Sequence, residues 1–530
     1  MQQGLHKKEK GVYYEYTEWN ISEREHHMDE KDFELLQALE ETSSITKAAD
    51  KLYITRSPLS KGRAGAECGT AEKAPVKEAA MEVTLMEMLE ARERRAARQQ
   101  ALLEAHGRTL ICFTMNIAGP VKNSPQIRRG FLLGRQLLEA QLQAAGMRIA
   151  HFEQIIEDTG NEAIYVLDRE PLAVKALTVE IEDHGPLGRL FDMDVLRPDG
   201  RKVERQELGL AGRRCLICGG PAQACARSRT HTVSQLQEKT RTILEAAIRE
   251  EDSRTAARLA CQALLYEVAT TPKPGLVDRA NSGSHRDMDF FTFQASTAAL
   301  WPYFAQCARI GMETRREPPE ETFSRLRFPG RLAEGEMFRA TGGVNTHKGA
   351  IFSMGILCGA LGRLEREQWR CPEEVLAQCA EMTRGLVSRD YAGLTPENVK
   401  TAGQRLYLQY GITGVRGQAE EGFPAVLNIG LPKLEAGLAQ GKSMNNAGCA
   451  ALIAMLADTV DTNMIHRGSY KHQQEWAQRL SSLLEREPFP SGETLDALDQ
   501  AFIRENLSPG GTADLLAMVY MLHFLKEEDR

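Results

Sequence analysis

The chain has 530 residues, of which 42% are hydrophobic and 6% aromatic, and its formal net charge is −7. This length predicts about two to four domains of an ordinary globular protein. The acidic balance argues against a protein that coats nucleic acid or a membrane with its whole surface. No apolar run reaches membrane-spanning length, and no apolar stretch of a secretory signal follows the basic start. Eleven scattered cysteines fit a reducing compartment, so we expect a cytoplasmic protein.

Residues 28–61 predict a compact helical segment with a helix, a Thr/Ser break and two further short helices. This segment resembles the N-terminal helix-turn-helix of LysR-type transcriptional regulators, in which the second short helix enters the major groove of DNA. Pro58 within the recognition helix, and the sequence GRAGAECG after it, depart from that family. We therefore expect residues 1–61 to be a truncated, vestigial segment, followed by a linker at 62–78.

Residues 79–235 mix helical and strand patterns. A stretch with helical spacing lies at 130–146, between the first two of four β-branched or alternating stretches. The pattern indicates an α+β middle domain. The predicted strands cover residues 109–119, 163–168, 175–183 and 189–197.

Two aspartates lie in the last predicted strand, in the sequence HGPLGRLFDMDVL. Asp192 and Asp194 are two positions apart, so both side chains lie on one face of the strand. Two carboxylates in this arrangement can hold one or two Mg²⁺ ions. Gly188 and Arg189, just before them, can approach a triphosphate closely and pair with it. The pattern suits nucleotidyl transfer, although an Asp-x-Asp pair is also common on a solvated strand face.

A thiol cluster follows, with the spacing C-x2-C-x6-C-x5-H. Four such ligands can close a tetrahedral Zn²⁺ site. The alternative is a set of reduced structural thiols beside a basic strip whose arginines grip the diphosphate of CoA. The candidate ligands are Cys215, Cys218, Cys225 and His231, and the basic strip consists of Arg213, Arg214, Arg227 and Arg229.

Residues 236–530 show Ala/Leu/Met-rich segments with helical spacing and almost no strand pattern, which predicts an all-α domain. In the sequence GVNTHKGAIFSMG, a buried helix with small residues for close packing is predicted over 349–361. Its first turn presents free backbone N–H groups and a positive dipole end. His347 and Lys348 beside that end suit phosphate, and the alternative is a capped loop with two solvated bases.

Four further polar loops interrupt this helical half. They are TTPKPGLVDRANSGSHRDMDF (270–290), TGVRGQAEEGFP (413–424), ADTVDTNMIHRGS (457–469) and NLSPGGTADLLA (506–517). Asp458 and Asp461 are three positions apart, so we expect them to share a face of one helix. Acids, bases and glycines at this density between apolar helices predict a polar pocket inside a bundle.

The middle region resembles apo-citrate lyase phosphoribosyl-dephospho-CoA transferase in NIAGPVKNSPQIRRGF, TGNEAIYVLD, HGPLGRLFDMDV and RRCLICGGPAQACARSRTHT. That family attaches a CoA-derived group to a serine of the lyase acyl-carrier subunit and releases pyrophosphate. The usual His-Pro of the family is interrupted by Gly185, but the Asp pair is intact. The resemblance implies a nucleotidyltransferase-like domain in which Asp192 and Asp194 are catalytic and bind Mg²⁺. It also implies phosphate contacts from Lys122, Arg128, Arg129 and Arg189.

Residues 255–525 resemble triphosphoribosyl-dephospho-CoA synthase in TPKPGLVD, NTHKG, GVRGQA, DTN…RG and SPGG. Where the family usually has a second glycine after Arg-Gly, this chain has Ser469. The family converts ATP and dephospho-CoA to triphosphoribosyl-dephospho-CoA and adenine, through an oxocarbenium-like transition state that needs a base, a proton donor and negative groups. The catalytic candidates are Asp278, Asp458 and His347, the Mg²⁺ candidates Asp289 and Asp461, and the substrate-binding candidates Lys273, Asn345, Lys348, Arg416 and Arg467.

Two consecutive enzymes of one pathway, fused in one chain, form a coherent interpretation. It implies ATP, dephospho-CoA and other small nucleotides as ligands and the acyl-carrier (gamma) subunit of citrate lyase as partner, with neither nucleic acid nor membrane. One alternative is a DNA-binding regulator whose body senses CoA derivatives. Another is the same chemistry for the acyl-carrier subunit of malonate decarboxylase.

Overall fold

The computed structural model describes residues 81–528. The predicted helix-turn-helix segment and the linker lie outside the described residues. The described chain divides into two compact units, each treated by itself below. The first unit comprises residues 81–124, 138–179 and 192–212, and the second comprises 125–137, 180–191 and 213–528.

A four-stranded sheet is the centre of the α+β region. Its strands are ordered β2-β3-β1-β4, and β3 pairs antiparallel with both β1 and β2. The apolar sequences of β1 and β3 bury almost every side chain, as expected for strands in the interior of a sheet. The bounds are Thr109–Met115 (β1), Ile149–Glu157 (β2), Gly160–Leu167 (β3) and Phe191–Leu196 (β4), with helices Leu85–His106 (α1), Pro125–Ala144 (α2) and Pro171–His184 (α3).

Two of the sequence predictions for this region differ from the structure. The strand predicted over 175–183 is wrong, because these residues belong to α3. Its buried side chains recur at three- and four-residue intervals, including Val174, Thr178 and Ile181, which is the period of a helix. Strand β2 was not predicted, because it is a half-exposed strand whose sequence IAHFEQIIE is partly polar.

The remainder of the described chain is helical, as predicted for the C-terminal half. Short 3₁₀ or π turns occur at Gly188–Leu190, Arg205–Leu208, Arg366–Arg370 and Val426–Gly430. The helices are Ala222–Arg227 (α4), Val233–Ala269 (α5), Phe290–Glu313 (α6), Pro319–Ala340 (α7), Lys348–Arg363 (α8), Pro372–Thr383 (α9), Leu386–Asp390 (α10), Ala402–Tyr410 (α11), Val415–Glu420 (α12), Leu431–Ala439 (α13), Met444–Asp458 (α14), Thr462–Arg467 (α15), Tyr470–Arg486 (α16), Gly492–Arg504 (α17) and Gly510–Glu527 (α18).

Helices α8 and α18 are buried along most of their length and form the centre of the bundle. The predicted close packing through small residues is present where α6 meets α8. A Cβ atom at Gly311 would lie 2.1 Å from the carbonyl oxygen of Gly359, so the two backbones touch at this point. None of the described helices combines the length and apolarity needed to cross a membrane.

Candidate functional site

The aspartate pair lies on one face of β4. Phe191, Met193 and Val195 are buried on the opposite face, and Asp192 and Asp194 are half-buried. The alternation therefore places both carboxylates together, as the spacing predicts. The ammonium group of Lys202 lies 2.6 Å from Asp194 Oδ1. Partial burial opposes the charge of Lys202, but the hydrogen bond to Asp194 and the negative charges of both aspartates raise its pKa.

A further acid and base, which the sequence analysis did not single out, belong to the same unit. Glu162 of β3 is buried and accepts a hydrogen bond of 2.8 Å from Arg95 Nε of α1. Burial opposes the charge of Arg95, while Glu162 and, more weakly, Asp192 raise its pKa. The negative charge of Asp192 therefore helps to stabilise the charged form of Arg95. In the sequence, Glu162 belongs to the stretch TGNEAIYVLD, and its position at the start of β3 was the available signal.

The predicted phosphate contacts of the middle region mostly have partners within the chain. Lys122 Nζ donates to the carbonyl oxygen of Ile117 at 2.6 Å, and partial burial lowers its pKa. Arg129 pairs with Asp252 at 2.7 Å. Arg128 is exposed. A phosphate role for these side chains remains a prediction.

The glycine before the aspartate pair has a packing function that the sequence did not indicate. A Cβ atom at Gly188 would lie 2.3 Å from the carbonyl oxygen of Ile181 and 2.6 Å from that of Glu182. The turn can therefore contact the end of α3 only because residue 188 is glycine. Arg189 donates to the carbonyl oxygen of Arg214, so its guanidinium is also engaged within the protein.

The four predicted zinc ligands come together in the second unit. One ligating atom from each residue lies within 4.8 Å of all the others. Burial opposes ionisation of Cys215, but the backbone N–H groups of Cys218 and Ile217 donate to its sulfur and lower its pKa to about 6. The cluster is therefore a candidate metal centre.

The loop after α5 is built around a buried ion pair and a buried aspartate. Lys273 Nζ donates to Glu267, and both side chains are at least 95% buried. Asp278 accepts from the backbone N–H of Lys273 at 2.9 Å and from those of Ala280 and Asn281 at 2.7 and 3.1 Å. Asp278 therefore holds the shape of this loop.

His347 is buried at the start of α8. Its Nδ1 lies 2.7 Å from Ser296 Oγ, and its Nε2 has no hydrogen-bond partner among the described residues. Burial, with the positive charge of Lys273, lowers the pKa of His347 to about 3. A ring that is neutral at pH 7 offers a hydrogen bond to a substrate and no charge to a phosphate.

Asn345 and Lys348, which are close to His347 in the sequence, pair with other groups of the chain. Lys348 is exposed and pairs with Glu334 at 2.8 Å. Asn345 Oδ1 accepts from the backbone N–H of Lys348 at 3.3 Å. The first turn of α8, expected to receive phosphate, instead donates the Ala350 N–H to a carboxylate of the chain itself.

That carboxylate belongs to Asp514, near the start of α18. A Cβ atom at Gly349 would lie 1.9 Å from Asp514 Oδ2, so the glycine makes room for the acid. Asp514 retains partial solvent access, whereas Glu267 and Asp461 are buried. Its low-dielectric surroundings, followed by the negative charges of Glu267 and Asp461, raise its pKa well above the usual range.

Asp461 connects two more of the polar loops. Its Oδ1 accepts from the backbone of Asn463 and Met464 at the start of α15, and its Oδ2 accepts from Thr512 N and Oγ1 at 2.8 and 2.9 Å. Burial outweighs these bonds and raises its pKa. Four of the polar segments therefore meet in one place, called here the buried charge cluster: Glu267, Lys273, Asp278, His347, Asp461 and Asp514.

The other candidates in the helical half lie in different settings. Asp458 is exposed at the last residue of α14, and the expectation that it shares a helix face with Asp461 is wrong, because the helix ends before Asp461 begins the next. Asp289 is an exposed N-cap that accepts from Thr292 N at 2.9 Å. Arg416 pairs with Asp390 at 2.8 Å. Arg467 donates to the carbonyl oxygen of Ser284 at 3.0 Å.

The acidic strand pair with its basic neighbours and the charged cluster within the helices are two separate candidate sites, and comparisons with known proteins identify both parts of the chain as transferases. Residues 83–247 match the family model of apo-citrate lyase phosphoribosyl-dephospho-CoA transferase (CitX). Residues 253–530 match that of ATP:dephospho-CoA triphosphoribosyl transferase (CitG). The predicted domain boundary after residue 235 falls within α5, and the domain bounds remain a prediction.

Three relatives extend this finding. The chain is 35% identical to protein CitXG of Haemophilus influenzae, over 83% of this chain and 96% of the relative. It is 33% identical to protein CitXG of Leuconostoc mesenteroides, over 83% of this chain and 97% of the relative. A probable 2-(5''-triphosphoribosyl)-3'-dephosphocoenzyme-A synthase of Albidiferax ferrireducens is 42% identical to the chain, over 51% of this chain and 90% of the relative.

The chain belongs to the CitXG family. It is a bifunctional transferase that synthesises the citrate lyase prosthetic group and attaches it to the apo acyl-carrier subunit. The prediction of this activity is confirmed. ATP and dephospho-CoA are the substrates of the first step.

Proposed function

We propose that the buried charge cluster is the centre of the first reaction, in which a ribose hydroxyl of dephospho-CoA replaces adenine on the ribose of ATP. The observation that carries this proposal is the convergence of four polar segments on one cluster. Glu267 and Asp461 both lie close enough to Asp514 for their negative charges to raise its pKa. A developing oxocarbenium ion is stabilised by negative groups of this kind.

Asp514 donates the proton to departing adenine. It is a carboxyl of the cluster with partial solvent access, and its low-dielectric surroundings and the negative charges of Glu267 and Asp461 raise its pKa well above the usual range, which suits a proton donor. His347 Nε2 has no partner within the described chain and is free to hydrogen-bond the substrate. Asp278 and Asp461 are held by backbone donors and keep the loops in place.

The second reaction takes place at β4. The carrier serine attacks the phosphorus nearest the ribose of triphosphoribosyl-dephospho-CoA, and pyrophosphate leaves. Asp192 and Asp194 would hold a Mg²⁺ ion, since both carboxylates are half-buried on one strand face. When bound, such an ion would neutralise negative charge on the leaving pyrophosphate. Lys202 and Arg95 add positive charge beside the aspartates.

We also infer that the carrier is the gamma subunit of citrate lyase, that nucleic acid is not a partner, and that the reactions occur in the cytoplasm. The middle region's match to the apo-citrate lyase transferase supports this carrier over that of malonate decarboxylase. The odd, scattered set of eleven cysteines supports a reducing compartment.

Adenine release from ATP and dephospho-CoA tests the first site. We expect Asp514→Asn in the full chain to lower the rate by at least about 100-fold, as for loss of a general acid. Asp496→Asn, an exposed aspartate of α17, is the control and should keep the wild-type rate. If Asp458→Asn abolished release and Asp514→Asn did not, the chemistry would lie at the exposed end of α14, contrary to the proposal.

A further inference from the structure

The cluster of three cysteines and one histidine has the geometry of a closed metal site. Ligands of a tetrahedral zinc ion are about 3.3–3.8 Å apart, given zinc–sulfur bonds of about 2.3 Å and zinc–nitrogen bonds of about 2.0 Å. The sulfurs of Cys218 and Cys225 are 3.5 Å apart, and all four ligating atoms lie within 4.8 Å of one another. A disulfide would need about 2.05 Å between sulfurs.

The first half of the cluster is a tight turn shaped for thiolates. The Cys215 N–H donates to the carbonyl oxygen of Gly220 at 2.6 Å, and the Gly219 N–H donates back to that of Cys215 at 3.2 Å. Gly219 has φ +72°, which glycine adopts without strain. Backbone N–H groups of Ile217 and Cys218 point at the Cys215 sulfur.

The second half brings a helix and a turn to the same point. Cys225 lies in α4, and the chain reverses at Arg229, whose φ is +47°. The Thr230 N–H donates to the carbonyl oxygen of Cys225 at 3.1 Å and fixes this reversal. His231 Nε2 is buried and has no hydrogen-bond partner in the described part of the chain. A buried nitrogen without a partner is unfavourable unless a ligand binds it.

We propose that Cys215, Cys218, Cys225 and His231 bind a structural Zn²⁺ ion. All four coordination positions are filled by protein, so the ion has no open position for substrate. Three thiolates and one neutral imidazole around Zn²⁺ carry one net negative charge. The arginines at 213, 214, 227 and 229 each lie within two residues of a proposed ligand in the sequence, and positive charge there would favour such an ion.

The zinc site holds the turn that precedes the aspartate strand. Arg213, two residues before the first ligand, donates to the carbonyl oxygen of Phe191 at 2.6 Å. Arg189 of the turn donates to the carbonyl oxygen of Arg214. Phe191 is followed directly by Asp192. This positioning role rests on the proposed function of the aspartate pair, whereas the metal site itself does not.

The metal content of the full chain, purified without chelator, tests the site. We expect about one zinc per chain by elemental mass spectrometry, and loss of that zinc in Cys218→Ser and His231→Ala. Cys371→Ser changes a half-buried cysteine outside the cluster and should keep the ion. Because a variant can misfold, the wild-type chain is also titrated with an organomercurial, which should release the zinc as thiols react. Cobalt in its place should give intense thiolate-to-metal absorption.

Absence of zinc together with failure to bind cobalt would overturn the site, and so would a Cys218–Cys225 disulfide in protein kept under reductant. Removal of zinc should abolish carrier modification and leave adenine release unchanged. If carrier modification continued after zinc was removed, the positioning role would be wrong, but the zinc site itself would not be contradicted. If zinc were present and Asp192 variants kept full attachment, the proposed function would fail instead.

Discussion

Lys273 and Glu267 form an ion pair in the helical half whose two side chains are only 1% and 5% exposed. The pair joins the end of α5 to the loop that Asp278 shapes. A buried pair is expensive to desolvate and is seldom a net source of stability, but removing one partner leaves a charge without compensation. Its position in the buried charge cluster fits a function in catalysis.

Lys273→Met should destabilise the helical half strongly. Leaving Glu267 buried and unpaired is expected to cost about 3–5 kcal/mol, measured as a lower denaturation midpoint of the full chain. Lys526→Met, which breaks the partly exposed pair with Glu435, is the matched control and should cost at most about 1 kcal/mol. The double variant Glu267→Gln/Lys273→Met should recover part of the loss. Equal effects of the two lysine variants would contradict the assigned burial.

The buried neutral His347 makes stability depend on pH. Its pKa is lowered to about 3, so between that value and the ordinary 6.5 the unfolded chain binds a proton that the folded chain does not. Stability from this residue is therefore complete above about pH 7 and decreases as the pH falls through 6.5. When the pH is lowered from 7.5 to 5, the free energy of unfolding of the wild type, measured with denaturant, should decrease by about 2 kcal/mol more than that of His347→Gln. If the free energy of unfolding decreased equally in the wild type and in His347→Gln, His347 would be solvated and not buried.

Gly188→Ala should perturb the turn before the aspartate strand. The new Cβ atom would meet the carbonyl oxygens of Ile181 and Glu182, so we expect about 1–3 kcal/mol of destabilisation and slower carrier modification. Gly212→Ala is the control, because a Cβ atom there meets nothing within 4 Å, and its cost should stay within about 0.5 kcal/mol. If Gly188→Ala changed neither the stability nor the rate of carrier modification, the turn could move without effect on the site.

The parts that sequence could predict are those with a local cause. The shared face of Asp192 and Asp194 follows from the two-residue period of a strand, and the four proposed zinc ligands are close in sequence. The strand prediction for α3 failed because its β-branched residues resemble a strand, although their burial has a helical period. Sequence did not reveal Asp514 as the partner of Glu267, because their proximity arises from tertiary packing across some 250 residues.

In the proposed scheme, one chain makes the prosthetic group at the buried charge cluster and attaches it at β4. The direct measurement quantifies adenine and the intact mass of the apo acyl-carrier in one reaction with ATP and dephospho-CoA. Wild type should release at least one adenine per modified carrier.

The variant Asp192→Asn/Asp194→Asn should keep wild-type adenine release and accumulate triphosphoribosyl-dephospho-CoA, while carrier modification falls by at least about 100-fold. Asp199→Asn, in the exposed turn after β4, should behave as wild type in both measurements. Full modification of the carrier by the double variant would show that attachment does not take place at β4, and loss of adenine release together with attachment would show that the two reactions do not have separate sites.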